Sequence, residues 1–318
     1  IKFDPSRNFL LSKIIAKKIQ KKLKDKKFDL IVVHDCTIIS FLNTTIPIII
    51  WTDLTFELYQ RSYFLNYKRF HKNSLKSGHY LEKLSLNKAI KVIYSTKYAQ
   101  DSAIKKYKIN KIKTKVIPFG SDILPISKKL FLNAQKKNKQ NNNIKFISVG
   151  VDWDRKNMDK SIDVVKELNK KGINSSLTIV GSQPPKIFNI PRFVNIVPFL
   201  DKKINKDLNK LKKLYFNSDY FILLSKAEAF GLVLLEANSY GLPLILSDID
   251  GMKFVAKKDY TIFVNKNLSA NKIALKILSL INNKSKYRRF SYNSFLSSFN
   301  NTWAIASNRL GKVINDVL

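Results

Sequence analysis

Short apolar segments of strand length alternate with longer segments of helical periodicity along most of this chain. Pro47–Trp51, Leu177–Val180 and Tyr220–Leu224 are apolar segments of this kind, and strand length is the simplest reading of each. Between them, helical patterns such as Asn205–Phe216 repeat apolar residues three and four positions apart. The alternation predicts an α/β protein whose parallel sheets are covered by helices on both faces.

The chain has 318 residues, which is enough for two domains of ordinary size. The turn-rich segment Pro118–Asp122 interrupts the alternating pattern, and a polar stretch rich in Asn and Lys follows at 133–143. We therefore predict a Rossmann-like domain over residues 1–122, a flexible linker over 123–143 and a second Rossmann-like domain over 144–300. Two doubly wound domains would face each other across a ligand cleft.

Three predicted strands of the second domain end at positions suited to ligand binding, because ligands of open α/β sheets bind beyond the carboxyl ends of the strands. Gly150 and Gly181 end two of these strands, and Ser225 follows the third. Glu228 comes three residues later, and Glu236 lies in the apolar helix that follows. Taken alone, the two glutamates fit an alternative in which the first caps the helix and the second is solvated.

The segment from Glu228 to Glu236 reads Glu-Ala-Phe-Gly-Leu-Val-Leu-Leu-Glu. It resembles the signature of retaining glycosyltransferases of the two-domain GT-B fold, in particular glycosyltransferase family 4 (glycosyl transferases group 1). The resemblance implies that Glu228 contacts hydroxyls of the donor sugar and that Glu236 binds the ribose hydroxyls of the nucleotide. It also implies that the backbone after Phe230, at Gly231 and Leu232, cradles the diphosphate.

A second loop, Gly150–Asn157, reads Gly-Val-Asp-Trp-Asp-Arg-Lys-Asn and is similar to the family's Gly-x-x-Trp-x-Arg-Lys-Gly loop. The basic residues of that loop bind the donor diphosphate. The resemblance therefore implies that Lys156 and Arg155 neutralise the charge on the leaving nucleoside diphosphate. Val151 replaces a frequent basic residue and Asn157 a common glycine, so either basic residue could make the main contact.

Further similarities extend over residues 28–318. Val116–Asp122 resembles the interdomain segment of the family, Phe199–Lys202 resembles the loop near the nucleotide base, and Ser247–Met252 resembles a Gly-Gly loop in which Asp250 replaces the first glycine. The expected nucleotide-binding residues are Glu236, Phe230, Gly231, Leu232, Gly150, Gly181, Phe199 and Leu200.

The two ends of the chain give expectations about the extent of the first domain. Residues 301–318, which begin near Trp303, are similar to the family's terminal helix and are expected to pack back on that domain. The opening strand and glycine-rich loop usual in the family are not present, so we expect a truncated first domain whose start lies upstream of Ile1.

Asp53 follows a buried strand on the acceptor side of the expected cleft. It is expected either to orient or deprotonate an acceptor hydroxyl or to cap the helix that starts near Leu54, and the two alternatives carry equal weight. His34 ends another strand, where a structural role is favoured over a catalytic one. The predicted catalytic residues are Glu228, Lys156, Arg155 and Asp53.

The formal net charge is +35, but only eight of the 58 basic residues are Arg. Because Arg usually dominates where bases and phosphates are gripped in pairs of hydrogen bonds, this composition disfavours nucleic acid as a partner. Compositional bias and attraction to an anionic membrane surface remain as explanations of the charge. The candidate membrane contacts lie on the helix predicted over Leu10–Leu23 and are Lys13, Lys17, Lys18, Lys21 and Lys22.

One cysteine and three histidines leave little material for a disulfide framework or a metal site. We therefore expect a metal-independent hexosyltransferase of the cytoplasm, peripheral at the inner face of the cell membrane, with no cofactor besides its nucleotide-sugar substrate. Its partners would be an NDP-sugar donor and a saccharide or lipid-linked acceptor in cell-surface polysaccharide or glycolipid synthesis. The alternative is a polyanion-binding or nucleic-acid-binding protein on a degenerate GT-B scaffold, which would bind DNA or RNA with a steep salt dependence.

Overall fold

The computed structural model describes residues 7–24, 26–63, 70–137, 143–185 and 189–318. The chain divides into two compact units, the first made of residues 1–118 and 306–318 and the second of residues 119–305. Each unit is built on its own parallel sheet. The predicted α/β class with two Rossmann-like units is thereby confirmed.

The first unit contains a four-stranded parallel sheet in the order β1-β2-β3-β4. The strands are β1 (Ile31–Val33), β2 (Ile48–Thr52), β3 (Lys91–Tyr94) and β4 (Thr114–Val116). The helices before and between them are α1 (Phe9–Lys24), α2 (Phe56–Tyr63), α3 (Lys72–Lys88) and α4 (Lys97–Tyr107). The helix predicted to start near Leu54 is α2, which begins at Phe56.

The second unit contains a six-stranded parallel sheet in the order β10-β9-β8-β5-β6-β7. Its strands are β5 (Ile144–Val149), β6 (Ser175–Val180), β7 (Val194–Val197), β8 (Tyr220–Leu223), β9 (Leu244–Ser247) and β10 (Thr261–Val264). The helices of this part of the chain are α5 (Lys128–Lys137), α6 (Trp153–Lys156), α7 (Met158–Lys170), α8 (Asn205–Phe216), α9 (Leu232–Asn238), α10 (Asp250–Lys253), α11 (Ala270–Ile281), α12 (Lys284–Ser298) and α13 (Trp303–Asn315).

Strand order reverses at one point in the sheet of the second unit. From β5 the chain proceeds to β6 and β7 on one side, and it then returns to pair β8 with the other side of β5. In open α/β sheets such a reversal opens a crevice at the carboxyl ends of the two flanking strands. The loops that follow β5 and β8 therefore lie at the expected binding position.

Residues 128–137 form helix α5, which corrects the prediction of a flexible linker over 123–143 for that part of the segment. The side chain of Phe131 is buried, and its ring stacks on Phe295 with the centroids 4.2 Å apart. The buried ring of Phe131 thus anchors a helix whose Leu130 and Leu132 are exposed. Residues 138–142 of the predicted linker lie outside the described residues.

Helix α13 begins in the second unit, and its residues from 306 onward belong to the first unit. Val313 is buried there in a small apolar cluster with Ile49, Ile93 and Ile117. Within the described ranges, no helix combines the length and apolar character that a membrane-spanning segment requires.

In the second unit, the segment after the boundary at residue 118 pairs with the segment before α13. The backbone N–H of Ser121 donates to the carbonyl of Asn301 over 2.8 Å, and Ser121 forms a parallel bridge with Thr302. A β-carbon built on Gly120 would lie only 2.1 Å from the backbone nitrogen of Trp303. Position 120 therefore has to be glycine for these two backbone segments to approach.

We predict that Gly120→Ala destabilises the protein by about 1–3 kcal/mol, because the methyl group meets backbone atoms that cannot rotate away. The matched control is Gly311→Ala in α13, where an added β-carbon meets nothing within 4 Å. The control should be neutral or stabilising by up to about 1 kcal/mol, because alanine is the better helix former. Urea unfolding measures both, and equal stability of the two variants would contradict the packing argument.

Candidate functional site

Two loops lie at the carboxyl ends of the strands that flank the reversal of strand order. The first follows β5 and runs from Gly150 to Asn157, and the second follows β8 and runs from Ser225 to Gly231. Two contacts to backbone carbonyls join them directly: the N–H of Lys226 donates to the carbonyl of Arg155 over 2.8 Å, and Arg155 Nη1 donates to the carbonyl of Ala227 over 3.2 Å.

The first loop folds as a single helical turn with a defined start and end. Asp152 caps α6 through its carboxylate, which accepts from the N–H of Arg155 over 3.0 Å. Asn157 ends the turn in the left-handed conformation with φ at 54°. Glycine and asparagine are the residues that tolerate this conformation best, which explains how Asn157 can stand where the related loop has glycine. Its amide also donates to the carbonyl of Leu224 over 3.1 Å.

A buried ion pair spans the two loops. Lys156 Nζ donates to Glu228 Oε2, and the two residues are 6% and 8% exposed. Arg155 Nη1 lies 3.6 Å from the same carboxylate oxygen. The alternative in which Glu228 caps helix α9 is therefore not supported, because the carboxylate is bound by cations from the opposite loop and the helix has no side-chain cap.

Close backbone approaches hold these loops in place. A β-carbon on Gly251, in helix α10 after β9, would lie 1.9 Å from the carbonyl oxygen of Glu228. A β-carbon on Gly150 would lie 2.8 Å from Lys156 Cε. Gly181 has a φ of 92°, and a β-carbon there would lie 3.0 Å from the carbonyl oxygen of Gly150, which accepts from the Ser182 hydroxyl. Because these positions are glycine, the loops can approach closely enough for Lys156 to pair with Glu228.

Glu236 is almost completely buried in α9, which excludes the alternative that it is a solvated helix residue. Tyr215 Oη donates to Glu236 Oε2 over 2.9 Å, and Lys202 Nζ donates to Glu236 Oε1 over 2.7 Å. Lys202 also pairs with Asp122, whose other oxygen accepts from Trp303 Nε1 over 2.9 Å. The carboxylate thus ends a connected polar network of the second unit.

Three of the other predicted nucleotide-binding residues lie at the start of α9. Gly231 has a φ of 81° and precedes Leu232, the first residue of α9. Phe230 is buried, and its ring meets Phe119 edge-on with the centroids 5.3 Å apart.

In the loop after β7 the two predicted contacts differ. Phe199 is 62% exposed, whereas Leu200 is buried in an apolar core of the sheet. A ligand at this loop would therefore meet the ring of Phe199 rather than the side chain of Leu200.

Asp53 lies in the first unit, at the carboxyl end of β2. Helix α2 starts at Phe56, and the hydroxyl of Thr55 accepts from the N–H of Leu58 over 3.2 Å. Thr55 thus supplies a capping contact at the start of α2. Buried Glu82 accepts from the N–H of Phe56 over 3.3 Å, and burial raises the pKa of Glu82 to about 7 despite the nearby Arg7.

His34 ends β1 in the same unit. Its Nδ1 lies 2.9 Å from the carbonyl oxygen of Trp51, so this nitrogen carries the proton and donates. The contact ties the ends of β1 and β2 together, in keeping with a structural role for the ring. Among the described residues there is no group of three or more His, Cys, Asp or Glu side chains that could hold a metal ion.

Sequence reasoning missed Lys202, Tyr215 and Asp122 as partners of Glu236, and it missed the close approach at Gly251. Lys202 and Gly251 stand inside segments whose family resemblance had been noted, which was the available signal. Tyr215 had none, because it is one apolar position among several in α8.

A curated relative matches part of the chain. The serotype-specific mannosyltransferase WbdA of Escherichia coli is 33% identical over 117 residues, which are 36% of this chain and 14% of WbdA. The match therefore spans about a seventh of that relative's own length.

Two solved structures resemble the whole fold. HepE of Anabaena, in complex with UDP-glucose, has a TM-score of 0.68 at 16% identity and covers 95% of this chain and 82% of HepE. WaaG, a glycosyltransferase involved in lipopolysaccharide biosynthesis, has a TM-score of 0.67 at 16% identity and covers 92% of this chain and 79% of WaaG. At such identities the likeness establishes the fold alone, which is that of the GT-B glycosyltransferases.

The site loops fall within a recognised family domain. Residues 131–296 match the family model described as Glycosyl transferases group 1, and this region contains both loops and α9. Because the match covers just over half of its residues, the chain belongs to the glycosyl transferases group 1 family.

Proposed function

We propose that this protein transfers a sugar from a nucleoside-diphosphate sugar to an acceptor hydroxyl with retention of configuration, as a member of glycosyltransferase family 4. The observation that carries the proposal is the buried pair of Lys156 and Glu228 across the reversal of strand order. It joins a cation suited to phosphate and a carboxylate suited to sugar hydroxyls at the edge where such sheets bind ligands.

In this proposal Lys156 and Arg155 bind the donor diphosphate. Negative charge grows on the nucleoside diphosphate as its bond to the sugar breaks, and cations already held in position stabilise that charge without reorganisation. Backbone N–H groups at Gly231 and Leu232 would add donors, since glycine lets the phosphate approach the chain. We propose that no metal ion is needed, because these groups balance the charge.

The two glutamates would bind hydroxyls. Glu228, held by Lys156, accepts hydrogen bonds from the donor sugar, and Glu236 accepts them from the ribose. Gly150 and Gly181 leave space beside the diphosphate, and the exposed ring of Phe199 offers a stacking surface to the base.

Retention follows if the acceptor oxygen attacks the face that the diphosphate leaves. The departing phosphate oxygen then takes the proton of the acceptor hydroxyl while the new glycosidic bond forms. No general-base carboxylate is required for this step, and we propose that Asp53 orients the acceptor. The names of WbdA and WaaG support a saccharide or lipid-linked acceptor in cell-surface polysaccharide or glycolipid synthesis.

The function is tested by a thermal-shift screen of UDP, GDP, ADP and their hexose derivatives, followed by NMR of the transfer product. We expect one nucleotide series to raise the melting temperature by mass action. With that donor and an added saccharide acceptor, the product should keep the anomeric configuration of the donor. No stabilising nucleotide would contradict the function, and an inverted product would contradict retention alone.

Lys156→Met should weaken binding of a nucleoside diphosphate about 10- to 100-fold while affecting the monophosphate much less, because a charge-assisted hydrogen bond to the second phosphate is lost. Calorimetry with both nucleotides gives the ratio. The matched control is Lys226→Met, a half-exposed lysine that pairs with Asp154 on the rim of the same loops. An unchanged ratio in the Lys156 variant would exclude it from the diphosphate site.

We also propose that α1 holds the protein on anionic lipid at the inner face of the cell membrane. Lys13, Lys17 and Lys21 form an exposed stripe along this helix, and Leu10 beside them is 68% exposed. Lysines near an anionic surface each contribute about 1 kcal/mol, and an exposed apolar side chain can insert among headgroups.

Replacing Lys13, Lys17 and Lys21 by Gln should reduce flotation with vesicles containing phosphatidylglycerol by about tenfold or more. The control replaces Lys206, Lys210 and Lys213, a stripe of equal charge on α8. If both triple variants lose binding equally, net charge rather than α1 governs the association. If neither does, the membrane proposal fails.

A further inference from the structure

Glu236 is the most deeply buried acidic side chain of the proposed site, at 1% exposure. A carboxylate taken out of water is costly to keep ionised unless a cation and hydrogen-bond donors replace the solvent. Among the described residues, Lys202 is the cation paired with it, and Tyr215 is the neutral donor.

Lys202 is itself held by a second carboxylate. Burial alone would lower the pKa of Lys202, but Glu236 and Asp122 outweigh it and raise that pKa. Burial alone would likewise raise the pKa of Asp122, but hydrogen bonds from Lys202 and Trp303 lower it. The ammonium is therefore fixed between two anions as a permanent charge, not as a loose surface lysine.

The geometry leaves acceptor capacity on both oxygens of Glu236. Each carboxylate oxygen has two lone pairs, and one donor occupies each: Lys202 on Oε1 and Tyr215 on Oε2. Two hydroxyls in cis on a ring need two such adjacent acceptors. Lys202 is 34% exposed and Tyr215 is fully buried, so the carboxylate is nearer to solvent on its Lys202 side.

We infer that Lys202 is a positioning residue of the ribose subsite, whose ammonium orients Glu236 to accept both ribose hydroxyls, so that ribonucleotides are selected over 2′-deoxyribonucleotides. The inference rests on the proposed function, since it assumes that Glu236 meets the ribose. In this inference the loop after β7 serves ribose recognition through Lys202, whichever base the nucleotide carries.

Lys202 on the loop after β7 holds Oε1 of Glu236, and Tyr215 on α8 holds Oε2. Without the ammonium, Oε1 loses the donor that fixes its orientation, and the buried carboxylate loses its paired cation. Ribose selection should therefore weaken.

The test compares UDP and GDP with their 2′-deoxy analogues by calorimetry at one pH. The quantity measured is the ratio of the two affinities, in which the contacts shared by both analogues cancel. The wild type should prefer the ribonucleotide by about tenfold or more, because hydrogen bonds to a charged group are lost with the hydroxyl. In Lys202→Met the ratio should fall toward one.

Three further variants make the result specific. Lys203→Met, at the exposed neighbouring lysine, should keep the wild-type ratio. Lys202→Arg should restore most of it, and Lys202→Gln, which keeps a donor without charge, provides the comparison if the Met variant does not fold. Glu236→Gln should remove the preference.

The outcomes separate the inference from the function. If Lys202→Met and Lys202→Gln keep the wild-type ratio while Glu236→Gln loses it, the role of Lys202 is overturned and the ribose site stands. If the wild type binds no nucleotide, or Glu236→Gln changes nothing, the proposed function of Glu236 is overturned and the inference with it.

Discussion

The reversal of strand order between β5 and β8 is the constraint on which the rest of the second unit depends. Adjacent parallel strands whose crossovers leave in opposite directions cannot have their shared end covered by a connecting helix. The loops after β5 and β8 therefore face each other across an uncovered edge. Lys156 can reach Glu228 from the opposite loop because the two strands are neighbours in the sheet, although 72 positions separate the residues in the chain.

Each buried carboxylate of this edge is balanced by groups from a different segment. Glu228 is bound by Lys156 and approached by Arg155, and Glu236 is bound by Lys202 and Tyr215. Buried charges are stable only when they are paired in good geometry. In the proposed function, the same pairing holds cations and acceptors in fixed positions, where they can stabilise charge that develops on a leaving phosphate.

The high net charge had no bearing on this arrangement. Lys156 and Lys202 are distinguished by their buried carboxylate partners, which are Glu228 and Glu236. The first unit also contains a buried carboxylate that is held by a specific partner. Glu82 accepts from the backbone N–H of Phe56 at the start of α2, and it thereby helps to position the residues that follow Asp53. Charge density governs association with surfaces, and local pairing governs chemistry.

Local patterns in the sequence determined the fold class, most of the strands and helices, and the placement of the two motif loops at strand ends, because periodicity and turn residues act over a few neighbouring positions. Helix α8 has the predicted bounds for this reason. Strand order, the edge strand β10, the helix α5 anchored by Phe131, and the partners of Glu236 were decided only in the tertiary structure. Lys202 and Glu236 are 34 positions apart, and no local rule brings an ammonium to a buried carboxylate over that distance. Only the packing of α8, α9 and the loop after β7 on one sheet does so.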